Sequence, residues 1–114
     1  FGMKIAESVY LNGHSWLNEL LLYLEKNINL FDEGISKIAG LNSMKLSATY
    51  LAWIDFSKTG MSKKAIINKV HHTAGIAASI GSTFGRGGDK FMRFNLACPR
   101  SKVASAVERL QNAF

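Results

Sequence analysis

Phe91-Met92-Arg93-Phe94-Asn95-Leu96-Ala97-Cys98-Pro99-Arg100-Ser101 is the stretch on which the fold turns. Side chains alternate across a strand, so Met92, Phe94, Leu96 and Cys98 fall on one face and Phe91, Arg93, Asn95 and Ala97 on the other. The first set is a core face, and Arg93 and Asn95 therefore point away from the domain's own core. Pro99 ends the strand. Ser101 is placed to cap a last helix, whose buried side is Val103, Ala106, Val107, Leu110 and Phe114.

Working outward, Gly81-Ser82-Thr83-Phe84-Gly85-Arg86-Gly87-Gly88-Asp89-Lys90 is too rich in glycine to be anything but a loop, and Ile76 to Ala78 before it can form a brief strand. Ser62 is a plausible N-cap for a helix in which Ile66, Ile67, Val70 and Ala74 share a face and Gly75 supplies the stop. The β-formers at Lys45–Ser47 and Thr49–Phe56 read as two short strands or one bent one. Upstream lies a long helix over about 14–39, in which Leu17, Leu21, Leu24, Ile28, Phe31, Ile35 and Ile38 recur at alternating spacings of four and three. A coiled coil has the same spacing, but Leu20, Leu22, Tyr23 and Leu30 widen the stripe, and with Gly34 they favour a helix lying across a globular domain. The order is helix, strand, strand, helix, strand, strand, helix. It predicts an α/β (α+β) fold, a small mixed or antiparallel sheet packed with helices, as one domain over residues 1–114.

The bulk composition fits that size. With 114 residues, 47% of them hydrophobic and 19% charged, the chain can bury a modest core. No apolar run reaches the ~20 residues of a membrane helix and no signal segment opens the chain, so the expectation is a cytoplasmic protein with no membrane partner. The first residue is Phe1 rather than methionine, which points to a piece of a longer product. Cys98 is the one cysteine and has no partner for an intramolecular disulfide; no Cys/His cluster has metal-ligand spacing. Of the net charge of +6, residues 58–102 carry +8, with nine Lys and Arg against Asp89 alone. A nucleic-acid-binding module is one interpretation of that stretch; a solvated basic face, or a surface facing an acidic neighbour, is the plainer one. Trp53 and Phe84 show no aromatic-platform pattern that would favour nucleic acid.

Few residues suggest chemistry. Arg93, held on a strand, offers a planar fork of donors that matches a carboxylate with two parallel hydrogen bonds; an ordinary surface arginine is the alternative. The glycine-rich loop has neither the order of a P-loop nor the spacing of a dinucleotide turn, and is better read as a mobile connection or a lid. His71 and His72 are adjacent on a helix and cannot share a metal as an i, i+4 pair would, and His14 stands alone. Cys98, on the core face, reads as a buried inert thiol. Asp55 and Asp89 make no convincing acid pair.

Four segments carry a resemblance: Tyr10-Leu11-Asn12-Gly13-His14-Ser15-Trp16-Leu17, Ala48-Thr49-Tyr50-Leu51-Ala52-Trp53-Ile54-Asp55-Phe56, Gly81-Ser82-Thr83-Phe84-Gly85, and Phe91 through Ser101. In order and spacing, from about Tyr10 to Leu110, the chain resembles the C-terminal small domain of pyridoxal-phosphate-dependent class I/II aminotransferase (fold type I) enzymes. The similarity is to their cysteine–sulfur lyase branch, the MalY/PatB cystathionine beta-lyase and cystalysin type. The Tyr-Leu-Ala-Trp-x-Asp and Arg-x-Asn-x-Ala pieces are the specific ones.

The resemblance implies that Arg93 binds the α-carboxylate of an amino-acid substrate. Holding that group fixes which Cα bond lies perpendicular to the cofactor ring, and so which bond weakens. It further implies β-elimination of cystathionine or cysteine to a thiol, pyruvate and ammonia, pyridoxal phosphate in the full-length enzyme, and a homodimer. An aminotransferase shares the carboxylate arginine and is the alternative. The family's cofactor lysine, in a Ser-x-x-Lys context, has no counterpart among the lysines here. The expectation is therefore that this chain holds no catalytic, cofactor-binding or metal-ligating residue, lacks the large cofactor domain, and is inactive alone. Two departures from the family pattern, Ala78-Ser79-Ile80 before the glycine and Arg86 after it, flank the presumed site mouth and bear on substrate preference.

Overall fold

A computed structural model describes residues 1–114, and its elements follow in chain order. Two helices, α1 (Gly2–Asn12) and α2 (His14–Ser36), lead into strands β1 (Asn42–Ser43) and β2 (Leu51–Asp55). Helix α3 (Lys63–Asn68), strands β3 (Ser79–Ile80) and β4 (Phe91–Asn95), and helix α4 (Arg100–Ala113) complete the chain. The sheet order is β1-β2-β4-β3 and every pairing is antiparallel, which settles the choice between a mixed and an antiparallel sheet.

One face of this sheet makes the core. Ala52 and Ile54 of β2 and Met92 and Phe94 of β4 are buried beneath Phe31 and Ile35 of α2, Ile66 of α3, and Val103 and Leu110 of α4. The predicted alternation therefore holds from Phe91 to Leu96, while Cys98, placed on the same face, is only half-buried. Gly34 explains why α2 lies across the domain: a Cβ there would stand 2.2 Å from Val107 Cγ1, so only glycine lets α2 and α4 come this close.

Several boundaries differ from expectation, each for a local reason. The strand predicted to reach Cys98 stops at Asn95, because the backbone beyond it finds other partners. Asn95 Oδ1 accepts from the Ala97 N–H at 2.9 Å, Leu96 N–H goes to Tyr50 O, and the carbonyls of Leu96 and Cys98 both accept from Asn27 Nδ2. Helix α4 is entered from Pro99, not capped by Ser101: Pro99 O accepts from Lys102 N, and Tyr23 Oη accepts from Arg100 N. Ser62 does cap α3, accepting from Ala65 N at 3.2 Å, and Gly75 takes the left-handed φ of +62° that ends the segment. Between them, residues 69–73 widen into a π turn, with Ala74 N–H bonded to Lys69 O. The strand predicted at 76–78 forms at Ser79–Ile80, and that predicted at 45–47 forms at Asn42–Ser43. The glycine-rich loop contains two 3₁₀ turns, Gly81–Phe84 and Gly88–Lys90.

The largest departure is at the N-terminus. The expected order began with one helix; the chain begins with two, and neither α1 nor the first turns of α2 touch the core. No residue of α1 is buried, and in α2 burial begins at Leu24. Leu17 and Leu21, the first two members of the predicted stripe, are 44% and 54% exposed. The result is an arm: the longest dimension is 50 Å against 28 and 23 Å, and the radius of gyration of 16.4 Å exceeds the ~13 Å of a compact chain this size. No helix is long and apolar enough to cross a membrane.

Candidate functional site

Strand β4 lies between β2 and β3, with Arg93 opposite Trp53 on one side and Ser79 on the other. Neighbours on both sides fix its backbone, and alternation turns Arg93 out of the core face, half-buried on the sheet's open face. Its guanidinium carbon stands 4.2 Å from the centroid of the Phe84 ring. No carboxylate, carbonyl or amide of the chain accepts a hydrogen bond from that guanidinium; the two ion pairs in the molecule are Lys4–Glu7 and Lys63–Asp89. Arg93 is thus a positioned cation with its N–H fork unspent.

The ring beneath it belongs to a small aromatic assembly. Trp53 stacks on Phe91 at 5.5 Å with an interplanar angle of 14°, and meets Phe84 edge-on at 5.7 Å and 72°. Phe84 ends the 3₁₀ turn Gly81–Phe84, whose placement depends on glycine. A Cβ on Gly81 would lie 2.4 Å from Gly88 O and 2.5 Å from Phe91 O, and one on Gly88 would lie 2.3 Å from Gly81 O. The two ends of the loop are therefore pressed together backbone to backbone beside the start of β4. Trp53, Phe84, Phe91 and the exposed Arg86, with the loop glycines, line an open recess of about 240 Å³ on this face. In sequence Trp53 and Phe84 showed no platform pattern; folding brings them together, and their faces are given to Phe91 and Arg93.

The remaining candidates sit elsewhere. Cys98 is half-buried against the core, so the expectation of a buried thiol is met only in part. His71 Nε2 is 2.8 Å from Ala78 O, His72 and His14 are exposed, and no three His, Cys, Asp or Glu side chains come together as a metal site would require. Asp55 accepts from the N–H and hydroxyl of Ser57 and closes a turn. Within the basic stretch, Lys63 pairs with Asp89, Lys69 donates to Ala113 O, Lys90 to Met61 O, and Arg100 to Asn27 Oδ1. Lys69, Lys90 and Arg100 thus tie parts of the fold together through neutral acceptors, and Lys63 shares its charge with Asp89 at the surface.

Asn27 and Tyr23 were missed. Asn27, fully buried on α2, donates to Leu96 O at 3.0 Å and Cys98 O at 2.9 Å and accepts from Arg100 Nε at 3.2 Å. It pins the β4–α4 junction and so holds the strand that carries Arg93. A signal was available: Leu24, Asn27, Phe31 follow the helical spacing of the stripe, and a polar residue at such a position needs partners.

No family model matches the chain. It is 32% identical over 114 residues to cystathionine beta-lyase PatB of Bacillus subtilis, covering 99% of this chain and 30% of PatB. It is 30% identical over 93 residues to LL-diaminopimelate aminotransferase of Syntrophobacter fumaroxidans, covering 82% of this chain and 24% of that protein. The solved structure of cystalysin from Treponema denticola, which contains a pyridoxal 5′-phosphate cofactor, superimposes with a TM-score of 0.90 at 33% identity, over 98% of this chain and 29% of cystalysin. The chain therefore spans about 30% of the length of the curated relative PatB. Near-complete coverage of this chain, by sequence and by fold, shows that it belongs to the family of MalY/PatB cystathionine beta-lyases and related pyridoxal-phosphate aminotransferases, as a C-terminal portion of that fold.

Proposed function

We propose that this chain is the substrate-carboxylate-binding small domain of a pyridoxal-phosphate-dependent C–S beta-lyase, acting on cystathionine or a related cysteine thioether, and that Arg93 is its anchor. The observation that carries the proposal is the state of Arg93: fixed on a central strand, turned out of the core, its guanidinium carbon over the Phe84 ring and its donors without a partner in the chain. A carboxylate can accept from two N–H groups of that fork in parallel, which sets both the position and the rotation of the amino acid's Cα.

The side chains of this chain do not fit the attachment of the cofactor. No lysine lies in the family's Ser-x-x-Lys context, and Lys63, Lys69 and Lys90 are engaged with Asp89, Ala113 O and Met61 O. When bound, pyridoxal phosphate supplies the electron sink for the charge left on Cα by loss of its proton. The contribution of this chain is to hold the carboxylate that orients Cα. Taken alone it is inactive, and it acts with its own large domain.

The arm supports that dependence. Met3, Ile5, Val9, Tyr10, Leu11, Trp16 and Leu22 are all 60% exposed or more along α1 and the start of α2. Such a run of uncovered apolar surface is what a protein interface leaves when its other half is removed. We assign it to the large domain, within a cytoplasmic homodimer.

The test is Arg93→Lys in the full-length protein. Expected is a loss of kcat/KM for cystathionine of roughly 10- to 100-fold, the worth of a charge-assisted bidentate pair reduced to a point charge, with the cofactor's absorbance retained. Unchanged kinetics would remove the assignment. An aminotransferase is the second reading, favoured by the similarity to LL-diaminopimelate aminotransferase. Pyruvate release from cystathionine without a keto-acid acceptor selects the lyase; a strict need for an acceptor selects the transferase.

A further inference from the structure

We infer that Phe84 is a positioning residue for Arg93: its ring fixes the plane of the guanidinium so that the N–H edge is presented to the substrate carboxylate. The inference rests on the carboxylate role proposed for Arg93. Strand β4 fixes the Cα–Cβ direction of Arg93 but not the flexible torsions beyond it, and no hydrogen bond from β2 or β3 holds the guanidinium. What does hold it is the ring 4.2 Å away. An acidic neighbour would also orient an arginine, but it would occupy the same N–H groups and cancel the charge a carboxylate needs. An aromatic face orients without competing, because it meets the cation through its π electrons and leaves the donor edge free.

Phe84 is itself held. Trp53, the cross-strand partner of Arg93, meets its ring edge-on at 5.7 Å, and the Gly81–Gly88 contact ties the loop to the start of β4. Gly85 at φ +134° and Gly87 at φ +87° allow the chain to turn back immediately after Phe84. The glycine-rich loop, which showed no phosphate-binding order, thus delivers one aromatic ring to one arginine.

The experiment uses the full-length holoenzyme with Phe84→Leu, Phe84→Tyr, Arg93→Lys and the Phe84→Leu/Arg93→Lys double variant. Steady-state kcat and KM are measured for cystathionine. Binding is read from cofactor absorbance with L-alanine, which has no leaving group on Cβ, and with ethylamine, its counterpart without the carboxylate. Phe84→Leu is expected to raise KM and weaken L-alanine binding about 3- to 10-fold, the scale of a partly exposed cation–π contact, with kcat changed less than about twofold and ethylamine binding unmoved. Phe84→Tyr, which keeps the π face, should restore wild-type values, and in the Arg93→Lys background the leucine should add little. Equal losses for L-alanine and ethylamine, or no loss with leucine while Arg93→Lys is impaired, would overturn the positioning role alone. A silent Arg93→Lys would overturn the carboxylate reading on which it stands.

Discussion

Arg93 and Arg100 lie close in sequence and share one feature, a guanidinium over an aromatic ring, at 4.2 Å from Phe84 and 4.4 Å from Tyr23. Their hydrogen bonds separate them. Arg100 donates to Asn27 Oδ1 and to Tyr23 O, and its own N–H is taken by Tyr23 Oη, so it fastens α4 to α2. Arg93 donates to nothing in the chain. An arginine whose fork is filled by the fold serves stability, and one whose face is supported but whose fork is empty is available to a ligand. Both lie in the basic stretch, and charge alone could not tell them apart.

That contrast is open to attack from the structural side, where the effects should be largest. Asn27→Ala leaves the buried Leu96 carbonyl and the half-buried Cys98 carbonyl without a donor and Arg100 Nε without its acceptor, and should lower unfolding stability by about 3 kcal/mol. The midpoint of urea unfolding measures it; a loss under about 1 kcal/mol would mean that the junction holds without this lock. Arg100→Lys keeps the charge but loses the fork that donates to Asn27 and Tyr23, and should cost about 1–2 kcal/mol with no selective rise in KM. A KM effect as large as that of Arg93→Lys would erase the distinction between the two arginines. Tyr23→Phe removes only the hydroxyl that accepts from Arg100 N, about 1 kcal/mol by the same unfolding measurement. Arg93→Lys, the severest change for activity, should be the smallest for stability, within about 0.5 kcal/mol, because it breaks no hydrogen bond of the fold.

Particular residues show where the sequence was legible. Alternation in Phe91–Leu96 placed Met92, Phe94 and Leu96 inward and Arg93 outward, since a strand admits only two directions for a side chain. Ser62 and Gly75 marked a segment whose ends depend on one hydroxyl and one positive φ, both local properties. The end of β4 was not legible, because Asn27 reaches it from α2. The stripe from Leu17 to Ile38 announced one continuous apolar face, yet only its second half meets this chain's core. Periodicity shows which face is apolar and is silent on what covers it.

The sequence by itself determined the two-layer plan, the outward turn of Arg93 and, through its four motif segments, the family resemblance, because each depends on short-range periodicity or on residue identity in order. Only the tertiary structure decided that Phe84 lies under Arg93, that Arg100 is spent on Asn27 and Tyr23, and that α1 with the start of α2 stands clear of the core. Those relations join residues distant in the chain through contacts a few ångströms long, and the geometry of such contacts exists only once the sheet and helices have been packed.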